Sequence, residues 1–257
     1  RSPLAVRSSS LLEDSQYQPL AGVYNTFMLP NNHEDLGVRL NSLVTAVKRV
    51  YASAFLSYPK NYFKVTPYRL EEEKMAVLIQ KVVGSRHGSR FYPHLAGAAR
   101  SYNFYPYPPQ TAEDGVVAVA LGLGRTVVDG GRALSFCPKY PQSLVHFSTP
   151  RDMLDNSQRE FVSIEMASSD DTVTELHHPL EVAEEDGTLS YVASTYSAEN
   201  DAVYDGTSRP GIRVVSFAPI LKHRTFPLPE IMVQLLEFGK KGMNSEVEIE
   251  FAVDLTS

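Results

Sequence analysis

Apolar positions along the chain fall into two rhythms, and each predicts its own kind of element. Across residues 32–53, Leu36, Leu40, Leu43, Val44, Val47 and Val50 recur at intervals of three and four, the spacing that lays one apolar stripe along an α-helix. A second helix is predicted over residues 228–240, introduced by Pro227 and Pro229, whose fixed φ suits a first helical turn. Near the end, EVEIEFAV alternates strictly, which predicts a strand with Val247, Ile249 and Phe251 on one face. Residues 75–83 (MAVLIQKVV) and 115–123 (GVVAVALGL) are almost continuously apolar and read as buried strands, and GIRVVSFAP from Gly211 reads as another. At the start, residues 4–7 form a short apolar run that predicts a strand entering a polar, serine-rich loop through Gly22.

Between these segments the pattern is weaker. Residues 84–110 read as loop-rich, with Pro106, Pro108 and Pro109 arguing for an edge. Residues 141–155 carry no regular period, and 155–166 read as one short helix. The acidic, turn-rich stretch 170–208 reads as an insertion or small subdomain, with EEDGT at 184–188 as a hairpin turn between short strands. The mixture argues for an α+β chain. The division expected is 1–142 and 209–257 as one nucleotide-binding portion, with 143–208 inserted.

Composition narrows the function classes. The chain has 257 residues, 43% hydrophobic and 21% charged, which is enough apolar material for a sizeable core. A formal charge of -6 supplies no broad basic field, so nucleic acid is not an expected partner. The single cysteine, Cys137, precludes an internal disulfide and reads as a structural thiol, so a cytoplasmic setting is expected. No apolar run approaches the roughly 20 residues of a membrane helix, and no membrane partner is expected. A first residue of Arg1 rather than methionine is the pattern of a segment from within a longer protein.

Several motifs carry two readings each. GLGRTVVDGG, residues 122–131, follows a predicted strand and can bring backbone amides to a phosphate, or can be two turns around a connector. Val127 stands where a dinucleotide fingerprint needs its third glycine. Glu248 and Glu250 leave one strand face and can share a Mg²⁺, or can be the wet side of that strand. Arg7 can clamp phosphate oxygens with its guanidinium fork, or can form a surface salt bridge. His177 and His178 are adjacent and read as a solvated loop rather than a metal site. RHGSR at 86–90 reads as a surface turn or an anion contact. SYNFYPYPP can stack a base, or can be a proline-broken edge packed on the core.

In this order the segments resemble the pyruvate- and ATP-binding domain of phosphoenolpyruvate synthases, pyruvate phosphate dikinases and rifampicin phosphotransferases. AVRSSSLLEDSQYQPLAGVYNTFML, residues 5–29, is similar to that family's VRSSATAED…AGQQETFLNV with matching spacing. VLIQKVV resembles its VQxMV, GLGRTVVDGG its GLGExVVxG, and VEIEFAV its DIEWA. The resemblance is weak over 143–208.

The resemblance implies an α+β, ATP-grasp-like nucleotide-binding domain, partial, with a small β-rich insertion, and ATP and Mg²⁺ as cofactors. It places Arg7 at the phosphates as the catalytic contact, Gly22 and Thr26 beside the polyphosphate, Gln80 along the adenine, and Glu248 and Glu250 on Mg²⁺. In the family mechanism ATP phosphorylates a histidine on a separate domain, so the partners implied are a nucleotide and a phosphohistidine domain of the same parent chain. The histidines of this chain are not nominated as carriers. The family's lysine segment and its LQxR strand would flank the chain. Two positions depart: Asn25 stands where the family has Glu or Asp, and Arg125 where GLGE has its glutamate. Those losses of carboxylate favour the alternative of a degenerate nucleotide-binding or regulatory module.

Overall fold

A computed structural model describes residues 1–10, 13, 24–56, 74–167 and 174–256. The chain divides into two compact units, the first made of residues 1–82, 88–91 and 164–176, the second of 83–87, 92–163 and 177–257. The secondary structure is α+β, with antiparallel pairings throughout those registered.

In the first unit β1 (Leu4–Ser10) lies between β2 (Phe27–Leu29) and β3 (Met75–Lys81). The strand continues through the serines expected to be loop, because the β1–β3 ladder runs from Leu4↔Lys81 to Ser10↔Met75. Alternation then sorts the residues. Leu4, Val6, Phe27, Leu29, Met75 and Val77 face the helix Leu36–Ser53 and pack with Leu43, Ala46, Val47 and Val50. That helix starts where Asp35 accepts the Gly37 N–H at 2.6 Å, an N-cap that satisfies one of the orphan amides of a first turn. The other sheet face carries Ala5, Arg7 and Ser9 opposite Ala76, Leu78 and Gln80. The apolar run of β3 predicts burial on both sides, and the strand does not have it. Only Met75 and Val77 are half-buried, since only one face has a helix to meet. Strand β5 (Arg90–Tyr92) pairs with β9 (Glu160–Glu165) through Arg90↔Glu165 and Phe91↔Ile164, and these four paired residues belong to the first unit.

In the second unit a four-stranded sheet has the order β14 (Glu248–Val253), β6 (Leu95–Arg100), β7 (Val116–Ala120), β8 (Leu134–Phe136). Its inner face, which includes Leu95, Val117, Val119, Leu134 and Phe136, joins Leu228, Met232 and Leu236 of the helix Leu228–Met243 in one core. Gly97 belongs to that face. A Cβ there would meet Ala118 O at 2.2 Å and the Phe251 ring at 2.6 Å, so glycine is what lets the strand and the aromatic ring approach. The same unit holds a smaller sheet, β12 (Ala202–Asp205), β11 (Ala193–Ser197), β13 (Ile212–Val215), together with β4 (Ser85–His87) and residues 177–179 of β10 (Glu175–Pro179).

Four local expectations are corrected. The stretch 84–110 holds three strands, among them the central β6, whose LAGAAR composition hides a strand that exists because β14 and β7 both pair with it. The helix expected over 155–166 is Pro150–Asn156, capped by a reciprocal Thr149–Asp152 box, and β9 follows it. EEDGT is no hairpin turn: it ends the helix Leu180–Glu185, with Gly187 at φ 76°. SYNFYPYPP does not pack on the core at its middle, since Phe104 is 72% and Tyr105 83% exposed.

Candidate functional site

Arg7 sits in β1 directly opposite Leu78, and Gln80 sits in β3 directly opposite Ala5. Directly paired residues share a sheet face, so Arg7 and Gln80 stand on the same side, away from the helix Leu36–Ser53. Gln80 is exposed and Arg7 half-buried. The neighbouring serines point the other way and are structural: the Ser8 hydroxyl donates to Glu13 Oε1 at 2.6 Å, and the Glu13 N–H donates to Ser10 Oγ at 3.2 Å. Thr26 is half-buried just before β2. Beside it the Asn25 N–H donates to Ser53 Oγ at 3.2 Å, which ties the segment to the end of the helix. Gly22 lies outside the described residues.

Glu248 and Glu250 belong to the second unit. Both leave the outer face of β14, where the burial alternates from exposed Glu248 to exposed Ala252. The rest of that face is built from small side chains, with Ala98 and Ala118 in register with Glu250, and Ala96 and Ala120 in register with Ala252. Glu248 is not bare. Arg100, its cross-strand partner, reaches Oε2 with Nε and Oε1 with Nη2, each at 3.1 Å. With both side chains about half exposed, that pair contributes only about 0–1 kcal/mol, so a divalent cation can compete for the carboxylate. Among the described residues no group of three or more His, Cys, Asp or Glu side chains is placed to hold a metal ion. The two same-face carboxylates nonetheless suit Mg²⁺, which typically takes one or two carboxylates and completes its shell with phosphate oxygens and water.

The Gly-rich segment is a tight turn, a four-residue helix Arg125–Val128 and a second turn. Gly122 has φ 86°, and a Cβ there would meet Val162 O at 2.7 Å, so this glycine serves the approach of the turn to β9. Gly124 lies over the alanine face, 3.8 Å from the Ala96 Cβ to where its own would be. Arg125 faces Asp129 one turn on at 3.7 Å. His177 and His178 are in β10 rather than in a loop. His177 Nδ1 is 3.0 Å from Glu160 Oε1, and His178 Nε2 is 3.0 Å from Ser163 Oγ. Cys137 is buried, and burial pushes its thiol pKa up, in keeping with a structural thiol.

Sequence reasoning missed two residues. Arg100 had no visible role because its partner is 148 positions away. Gln158, 3% exposed, binds the turn before the Gly-rich segment: the Leu121 N–H donates to its Oε1 at 2.8 Å, and its Nε2 donates to Leu121 O at 2.9 Å. The only hint was its place just before a β-rich run.

No helix of the described residues is long and apolar enough to cross a membrane. No curated protein matches the sequence. The family model described as pyruvate phosphate dikinase, AMP/ATP-binding domain, matches residues 1–257. The match spans the whole chain, including the segments that carry Arg7, Gln80 and the β14 carboxylates, and the chain therefore belongs to the pyruvate phosphate dikinase AMP/ATP-binding domain family.

Proposed function

We propose that this chain binds ATP with Mg²⁺ in an ATP-grasp-like manner, for phosphoryl transfer to a histidine on another domain of its parent protein. The observation that carries the reading is the family match over the whole chain. Residue roles follow the chemistry of each position. Arg7 offers a guanidinium fork to phosphate oxygens, and Gln80, on the same sheet face, offers an amide to the adenine edge. Thr26 and Gly22 serve the polyphosphate. Glu248 and Glu250 hold Mg²⁺, which neutralises charge on the transferred group when bound.

A second reading is a nucleotide-binding module without metal-dependent transfer. The Arg100–Glu248 pair favours it, since one of the two metal carboxylates is already engaged. Arg125 in place of a glutamate favours it too.

Titration calorimetry with ATP, with and without Mg²⁺, separates the two. Transfer competence expects Mg²⁺ to tighten ATP binding at least about tenfold, and E250Q to abolish that gain, a difference of about 1.4 kcal/mol. Binding that ignores Mg²⁺ supports the second reading. No ATP binding under either condition defeats both.

A further inference from the structure

The chain holds four Asp–Gly steps, at Asp114, Asp129, Asp186 and Asp205, and no Asn–Gly step. An aspartyl residue followed by glycine can close on itself. The glycine amide nitrogen attacks the side-chain carboxyl carbon of the neutral acid, water leaves, and a five-membered succinimide forms. Water then reopens the ring at either carbonyl, so the mass is restored as aspartate or as isoaspartate, in which the main chain runs through the side chain. Glycine favours closure because it has no Cβ to crowd the attacking nitrogen. Closure needs a carboxyl not held by partners, a glycine N–H not held by an acceptor, and freedom of the peptide between them to rotate.

At three of the four steps the fold withholds one or more of these. The Asp114 side chain is 8% exposed, accepts the Thr111 N–H at 2.8 Å and pairs with Lys139 at 2.9 Å, while the Gly115 N–H donates to Ala112 O at 3.4 Å. Asp186 accepts the Tyr92 hydroxyl at 2.8 Å, and the Gly187 N–H donates to Glu184 O at 3.1 Å. Asp205 Oδ2 is held by Lys222 at 2.6 Å and His223 at 2.8 Å.

Asp129 escapes these restraints. Its side chain is 60% exposed, and its ion pair with Arg125, one turn back, is long at 3.7 Å and so contributes little. Among the described residues neither the Asp129 carbonyl nor the Gly130 N–H makes a hydrogen bond. Gly130 stands at φ 71° with nothing within 4 Å of where a Cβ would be. Asp129 has ψ 5°, so the 129–130 peptide has to rotate to bring its nitrogen to the carboxyl carbon. That peptide is unanchored, and glycine tolerates the change of φ. The chain on either side is fixed, by the Asp129 N–H donating to Arg125 O and the Gly131 N–H to Thr126 O, each at 2.8 Å.

We propose that Asp129 is a site of spontaneous isomerisation, the Asp–Gly step of the four that the folded chain leaves reactive. Isoaspartate there puts an extra main-chain carbon inside the turn that Gly131 N–H and Thr126 O close, at the end of the Gly-rich segment. The site stands independently of the ATP reading, since no residue assigned to ATP or Mg²⁺ enters it.

The test is ageing of the folded full chain for several weeks at neutral pH, with isoaspartate read by an isoaspartyl methyltransferase and labelled S-adenosylmethionine. Peptide mapping places the label, aided by an endoprotease that cuts before aspartate and fails at isoaspartate. Deamidated asparagines are set apart by their change of mass. A hydrogen bond that must break first slows a step by about two- to tenfold, so Asp129 should accumulate mass-neutral isoaspartate at least several-fold faster than each of the other three. In urea all four steps should react at similar rates, because the unfolded chain holds none of the restraints. D129E should abolish the label in that peptide and leave the others unchanged. Faster reaction at another step in the folded chain, equal rates at all four, or a lead of Asp129 that persists undiminished in urea would overturn the proposal, as would label that survives D129E.

Discussion

Glu248 shows how a single residue's role depends on a partner. Its face was legible from alternation, because period two puts Glu248 and Glu250 on the same side of any strand. Arg100 was not legible as its neighbour, because the β14–β6 register is a long-range fact. Replacing Arg100 with alanine should change unfolding free energy by less than about 1 kcal/mol, since the pair is half exposed. The same variant should strengthen Mg²⁺-dependent ATP binding several-fold if Glu248 is a metal ligand, and calorimetry reads both effects. His94 is the opposite case, buried to 1% with its Nε2 unpartnered. Its Nδ1 receives the Leu255 N–H at 3.1 Å and lies 3.1 Å from Asp254 Oδ1. Burial pushes its pKa below the ordinary value and outweighs the pull of Asp254, with His87 nearby pushing the same way. The folded state therefore binds fewer protons than the unfolded state, and stability falls as pH drops below about 6.5 through to the lowered folded value. Urea unfolding at pH 7.5 and pH 5 should show that loss, and His94→Asn should flatten it. An unchanged pH slope in the variant would assign the acid sensitivity to other groups.

At the scale of elements, glycines distinguish positions that composition treats alike. Gly97 sits mid-strand between two partners, with a backbone oxygen 2.2 Å from where a β-carbon would stand, whereas Gly242, in the last turn of a helix, has nothing within 4 Å of that point. Gly97→Ala should therefore destabilise by about 1–3 kcal/mol or more through overpacking, and Gly242→Ala should stabilise by up to about 1 kcal/mol through helix propensity. Chemical denaturation of the two variants checks both signs. The same contrast explains why β6 was unreadable. Its alanines and glycine have weak strand preference, and the strand is specified by β14 and β7 pairing on either side. The helices Leu36–Ser53 and Leu228–Met243 were readable because their apolar stripes are local and long.

For the whole molecule, a ligand that binds the native chain raises its apparent stability by mass action. ATP·Mg²⁺ at ten times its dissociation constant should add about 1.4 kcal/mol, a rise of roughly 2–4 °C in the midpoint for a chain of this size. Adenosine alone should give less if, as proposed, Arg7 and the β14 carboxylates serve the phosphates and their metal. A thermal-shift measurement that shows no response to ATP·Mg²⁺ would count against the nucleotide reading. The sequence by itself determined the α+β class, the two long helices, the strand that aligns Glu248 with Glu250, and the family, because each is written in local period or ordered motifs. Tertiary structure alone decided which strand face of β3 is covered, that Arg100 holds Glu248, and that Gln158 clamps the Gly-rich turn. Those are contacts between residues far apart in sequence. Nothing in local spacing encodes them, because they exist only once the sheets and cores have chosen their partners.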